Sequence, residues 1–91
     1  MENPKPQSEE QIKKQQEFFE KARKGVLKFL DEKGGKLKMG ELHEYSLSKY
    51  FIQHQRFSKL MESFTDGGLI DYDWETQEAT ITEAGKKFVA S

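Results

Sequence analysis

The sequence predicts an α+β domain in which three helices precede a small β-hairpin and a last short helix. Apolar residues recur at helical spacing in residues 18–30 and again in residues 57–64. Gly67-Gly68 ends the second of these patterns, and residues 69–82 then alternate between apolar and polar side chains. Helices followed by alternating strands are typical of an α+β fold.

Length and composition exclude several classes of protein. Ninety-one residues suit one small domain, which we place at residues 9–91, after a disordered tail at residues 1–8 that holds both prolines. The chain has no cysteine, so it has no disulfide and no thiolate metal site, which favours a cytoplasmic protein. No apolar run approaches the ~20 residues that span a bilayer, and residues 1–16 lack the apolar core of a secretory signal.

Charge is unevenly distributed along the chain. Residues 1–38 carry a net charge of +3, residues 39–64 are neutral, and residues 65–91 carry −4. Proteins that bind nucleic acid through phosphate contacts usually show a basic surface. Here the basic excess lies in the N-terminal helix region, and the predicted hairpin is acidic.

The first helix is predicted to span residues 9–33. Ser8 caps it, with Gln11 at capping-box spacing, and Gly34-Gly35 ends it. We expect Phe18 and Leu27 toward the flanks of its apolar face, which consists of Phe19, Ala22, Val26, Phe29 and Leu30. Ile12, Phe19 and Val26 also lie seven residues apart, so two interpretations stay open. The helix either packs on the core of a monomer, or pairs its N-terminal half with another copy in a weak homodimer.

Two short helices with a turn between them are predicted after an extended piece at residues 36–39. The first spans residues 40–51, with Leu42 and Tyr45 inward, and the turn lies near residues 52–53. The second spans residues 54–65, and its apolar stripe is Phe57, Leu60, Met61 and Phe64.

The hairpin is predicted from strands at residues 69–74 and 78–82, joined by a polar turn at residues 75–77. Thr82 then caps the closing helical turns. We expect Ala84, Phe88 and Val89 in these turns to pack on the first helix.

The pattern of Phe57, Leu60 and Phe64, then Gly68-Leu69-Ile70, then Thr80-Ile81-Thr82-Glu83-Ala84-Gly85 resembles the winged helix-turn-helix superfamily. The resemblance covers residues 18–89 and implies a three-helix core with a small β-hairpin wing and a long N-terminal helix. It also implies that residues 54–64 are a recognition helix for the major groove of DNA, and that residues 71–79 are the wing. The residues that it places against DNA are Lys49, His54, Gln55, Arg56, Ser58 and Lys59. Lys36 and Lys38 are expected near the sugar-phosphate backbone of the DNA.

The wing departs from the superfamily pattern, because it carries Asp71, Asp73, Glu75 and Glu78 where basic residues are usual. Carboxylates beside phosphates oppose binding. Trp74, near the wing tip, either folds back over the hairpin or the second helix, or is an exposed anchor for a protein. Tyr72 and Trp74 are then candidate protein contacts, and the surrounding acids favour a basic partner protein.

No catalytic or cofactor site is expected. The sequence has no cysteine nucleophile and no phosphate-binding loop, and a domain of this size has little room for a ligand pocket. His43 and His54 are far apart in sequence, lack the local spacing of a zinc site and are predicted to be polar surface residues, so no metal site is expected.

Two functions therefore follow from the sequence. The first is a DNA-binding protein, a transcription regulator or accessory factor, that uses its third helix. The alternative is a protein-interaction module on the same scaffold with no nucleic-acid binding, because one fold can host both uses.

Overall fold

The computed structural model describes residues 9–91, with side chains described from Lys13 onward, so the predicted tail at residues 1–8 lies outside the described residues. The predicted α+β organisation is confirmed, and the helices and strands begin and end close to the predicted residues. They are α1 (Glu9–Glu32), β1 (Lys36–Lys38), α2 (Met39–Tyr50), α3 (His54–Asp66), β2 (Ile70–Asp73), β3 (Glu78–Ile81) and α4 (Glu83–Ala90).

The three strands form one antiparallel sheet in the order β1-β3-β2. Lys36 lies opposite Thr80, and Ile70 lies opposite Ile81, so β3 is the central strand. The backbone N–H of Met39 also donates a hydrogen bond to the carbonyl of Gln77 at 2.8 Å. The start of α2 is therefore fixed to the turn of the β2–β3 hairpin.

The core lies between α1, α3 and the sheet. Leu27 is fully buried, so its predicted place at the flank of α1 is wrong. The reason is that α1 is covered by α2, α4 and the sheet together, which widens its buried face. The buried apolar residues are Ala22, Val26, Leu27, Leu30, Leu42, Ile52, Phe57, Leu60, Met61, Phe64, Leu69, Ile70, Ala79 and Ile81.

The last helix packs differently from the prediction. Ala84 is exposed rather than packed on α1, whereas Phe88 and Val89 pack against the core as expected. Gly85 is the buried residue of α4, because the absence of a Cβ lets its backbone approach Leu69 and Ile81 closely.

Thr82 caps α4 as predicted. Its hydroxyl oxygen accepts a hydrogen bond from the N–H of Gly85 at 3.0 Å and donates one to the carbonyl of Gly68 at 2.6 Å. This side chain therefore connects the start of α4 to the loop that follows α3.

The turn between α2 and α3 contains a bulky residue in a left-handed conformation. Phe51 has φ 57°, and its side chain is 83% exposed. Its N–H donates to the carbonyl of Leu47 at 3.0 Å, and the N–H of Ile52 donates to that of Ser46 at 3.2 Å. Glycine is the residue that usually occupies such a position, because it has no Cβ to clash with the backbone.

Candidate functional site

The outer face of α3 carries the predicted DNA-contact residues. His54, Gln55, Arg56, Ser58 and Lys59 are all exposed. The predicted apolar stripe on the opposite face is buried, which confirms the orientation of the helix: Phe57, Leu60, Met61 and Phe64.

The start of α3 is not occupied by an acidic group. Gln53 precedes the helix without a side-chain capping hydrogen bond, and the first turn contains no acidic residue. The unpaired N–H groups at a helix start carry a partial positive charge, which attracts anions. This end of α3 therefore favours a phosphate more than a capped, acidic helix start would.

The basic residues of α3 lie on the side that faces α1. Arg56 and Lys59 line a shallow depression together with Phe19 and Glu20, which we call the α1-side groove; Gln15 and Gln16 complete it. Arg56 also borders the turn beside Phe51. Both cationic side chains of α3 are thus on the same side of the helix.

The opposite side of α3 forms a second groove, with the start of α2 and the β2–β3 hairpin as its other walls. We call it the hairpin groove, and its volume is about 500 Å³. It is open to solvent, so it is a surface groove and not the deep pocket for which a domain of this size was expected to have little room. The lining residues are Met39, Gly40, His43, His54, Phe57, Ser58, Met61, Glu62, Thr65, Tyr72, Trp74 and Gln77.

Trp74 lies at the rim of the hairpin groove and is 80% exposed. Its ring meets that of Tyr72 edge to face, with centroids 4.5 Å apart. The hydroxyl of Tyr72 in turn donates to the sulfur of Met39 at 3.7 Å. The tryptophan thus contacts the hairpin, as one interpretation predicted, but most of its surface stays exposed.

The two histidines meet in the hairpin groove, where His54 is exposed, as predicted, and His43 is half-buried. Their ring centroids are 5.6 Å apart, and the ring of His43 lies 4.7 Å from that of Phe57. The packing of α2 on α3 brings them together. Nε2 of His43 is buried and has no hydrogen-bond partner in the described part of the chain. Within that part, no three potential metal-binding side chains lie together.

The acidic charge of the hairpin is only partly neutralised. Glu78 pairs with Lys36 at 3.5 Å. Asp71, Asp73 and Glu75 are exposed and form no ion pair within residues 9–91. One carboxylate oxygen of Asp73 accepts hydrogen bonds from the N–H groups of Glu75 (2.9 Å) and Thr76 (3.3 Å), which fixes the turn.

The other predicted backbone-contact lysines lie on other elements. Lys49 is exposed in the last turn of α2 and lines neither groove beside α3. Lys36 and Lys38 are exposed on β1, where Lys36 pairs with Glu78. The structure thus groups five of the predicted DNA contacts on α3 and leaves these lysines apart.

Tyr45 has a perturbed pKa but belongs to the scaffold. Burial raises the pKa of its hydroxyl, and Tyr50 and the Glu32 carboxylate raise it further. Its ring stacks on that of Phe29 with centroids 3.9 Å apart. The shift therefore reflects the packing of α1 on α2, outside both grooves.

Comparisons of the chain with protein-family models, with curated proteins and with solved structures give no significant match. In the described part of the chain, no helix combines the length and the apolar character that crossing a membrane requires.

Proposed function

We propose that this chain is a winged helix-turn-helix protein that binds DNA, as a transcription regulator or accessory factor, with α3 in the major groove. The order of the elements and the β1-β3-β2 sheet support the winged-helix assignment. The observation that carries the proposed function is that Gln55, Arg56 and Lys59 are exposed together on α3, while the opposite face of that helix is anchored in the core.

The side chains on α3 suit the chemistry of base edges and phosphates. The guanidinium of Arg56 can donate two hydrogen bonds to a guanine, and the amide of Gln55 can bond an adenine at two atoms. Lys59 and Ser58 suit phosphate oxygens, and so does the acid-free first turn that begins at His54.

The test is the double substitution Arg56→Ala with Lys59→Ala, measured as the affinity for a mixed-sequence DNA duplex at several salt concentrations. We expect the affinity for DNA to fall about 10- to 100-fold. The slope of the logarithm of the binding constant against the logarithm of the salt concentration should decrease in magnitude by about 1 to 2. A matched control is Lys86→Ala with Lys87→Ala, which removes the same charge from α4. Circular dichroism checks that each variant is folded. An equal loss in both double variants, or no loss in the first, contradicts the mechanism.

A second candidate function is a protein-interaction module on the same scaffold, without nucleic-acid binding. One observation favours it: an exposed tryptophan stands among unpaired carboxylates on the hairpin. Aromatic anchors of this kind are enriched at protein interfaces, and carboxylates repel phosphate. If the backbone amide shifts stayed unchanged on addition of DNA even at low salt, the DNA-binding proposal would be excluded. The protein-interaction module would then be the remaining candidate.

A further inference from the structure

We propose that the hairpin groove is a docking site for a basic protein segment that inserts a large apolar side chain between its lysines or arginines. This proposal rests on the second candidate function, a protein contact at the hairpin, and it adds the surface and the chemistry of the partner. It does not require that DNA binding be absent, since Arg56 and Lys59 lie on the other side of that helix, although His54 and Ser58 line the hairpin groove and belong to both proposals.

The size and walls of the groove suit an apolar side chain. Its volume is about 500 Å³, and its lining is mostly apolar, unlike that of the α1-side groove. The rings of Phe57, Tyr72 and Trp74 and the thioethers of Met39 and Met61 form the walls. Thioether side chains adapt their shape to what they contact, so the groove can close around a large aliphatic or aromatic group.

The charge of the groove selects a cationic partner. Apart from the histidines, Glu62 is the charged lining residue in the described part of the chain. Asp71, Asp73 and Glu75 add unpaired negative charge on the same hairpin, where they line the neighbouring depression rather than the groove itself. The exposed face of Trp74 can also accept a cation. A partner with lysine or arginine beside its apolar anchor is therefore favoured over a neutral or acidic one.

The experiment uses methyl resonances of methionine in the full chain, titrated with peptide. The chain has three methionines, of which Met39 and Met61 line the groove. The probe is the acetylated, amidated peptide Arg-Lys-Leu-Phe-Lys-Arg. Its matched control carries Glu in place of every Arg and Lys. Fluorescence of Trp74, the single tryptophan, gives a second readout.

We expect saturable shifts of the Met39 and Met61 methyls with the basic peptide, and at least about tenfold weaker binding of the acidic peptide. The variant Gly40→Leu places a large side chain at the wall of the groove and so blocks it. The fold should tolerate this change, because nothing lies within 4 Å of a Cβ at this position and leucine favours helix. The variant should abolish the shifts. Glu62→Gln should weaken binding about 3- to 10-fold without altering the fold.

Several outcomes would overturn the proposal. If the basic and the acidic peptide bound equally well, the groove would not select its partner by charge. If Gly40→Leu bound the basic peptide as well as the unchanged protein does, the peptide would contact another surface. Binding of tetraphenylphosphonium but not of peptide would assign the groove to a small lipophilic cation. Shifts that depend on protein concentration alone would assign it to a second copy of the chain. Because no DNA is present, each of these results leaves the DNA proposal standing, and a partner bound elsewhere would still support the second candidate.

Discussion

The two sides of α3 differ in charge, in polarity and in the way the chain builds them. The side that faces α1 presents Arg56 and Lys59 in a shallow polar depression. The side that faces the hairpin presents an apolar groove with Glu62, next to a hairpin whose other face carries Asp71 and Asp73. One helix of 13 residues thus separates two surfaces that suit partners of opposite charge.

The difference also concerns which contacts each side depends on. The α1-side groove lies between two helices, each of which is held by its own local hydrogen bonds. The hairpin groove has the β2–β3 hairpin as one wall, and a hydrogen bond between residues far apart in sequence, Tyr72 to Met39, joins two of its walls. Substitutions at the base of the sheet should therefore affect the hairpin side most.

The largest expected effect is that of Gly85→Ala, a substitution at the close contact between α4 and the base of the hairpin. A methyl group there would collide with the carbonyl oxygen of Leu69 and lie 2.6 Å from Cγ1 of Ile81, both at the base of the hairpin. We expect the free energy of unfolding to fall by about 1–3 kcal/mol, as for overpacked cores. Urea unfolding followed by circular dichroism measures it.

A matched control is Gly40→Ala, where the added methyl meets open space in a helix. It should raise the free energy of unfolding by up to about 1 kcal/mol. If the two substitutions had the same effect, the close packing of α4 on the hairpin would not limit stability.

A smaller effect is expected from the double substitution Asp73→Asn with Glu75→Gln, which tests the charge contrast directly. Removing two carboxylates beside the groove should raise the affinity for a DNA duplex at low salt by about 3- to 10-fold, and lower that for the basic peptide by a similar factor. Asparagine keeps the oxygen that accepts the hydrogen bonds of the turn.

The control for this double substitution is Glu44→Gln with Glu83→Gln, which removes the same charge from α2 and α4. Opposite changes for the two ligands in the hairpin variant alone would establish that the hairpin charge discriminates between them. The same change for both ligands would show that only net charge matters.

The smallest effect is expected from Phe51→Gly, at the turn beside the α1 side of α3. The left-handed backbone of a phenylalanine costs about 1–2 kcal/mol, which glycine avoids, although glycine also loses more entropy on folding. We expect a net gain of about 0.5–1 kcal/mol in the free energy of unfolding. Phe51→Ala keeps the strained backbone and should show no gain. A loss of stability in both variants would mean that the ring packs more than its 83% exposure indicates.

Local signals in the sequence predicted most of the scaffold. The apolar stripe of α3 and the cap formed by Thr82 both follow from residues close together in the chain, and both were confirmed. Leu27 and Ala84 were placed wrongly, because their burial depends on how many neighbouring elements cover α1 and α4. Helical spacing alone does not contain that information.

The outer face of α3 was predictable for the same local reason, whereas the hairpin groove was not. Its walls come from α2, α3 and the hairpin, and its contacts join residues such as Met39 and Tyr72. Only the angle between α2 and α3 and the register of the sheet bring His43 to His54. The feature of the sequence that indicated this region was Trp74 among acidic residues. It predicted a protein contact at Trp74, but not the groove beside it.

The central position of β3 has a consequence for the protein during its synthesis. Lys36 pairs opposite Thr80, so β1 leaves the ribosome well before its partner strand exists. At about 5–20 residues per second, this interval lasts about 2–9 seconds. Throughout it, the peptide groups of β1 form an edge that another nascent chain could pair with. Lys36 and Lys38, on a strand of only three residues, place charge on that edge and oppose such pairing, also in the folded sheet, where β1 stays an edge strand beside β3.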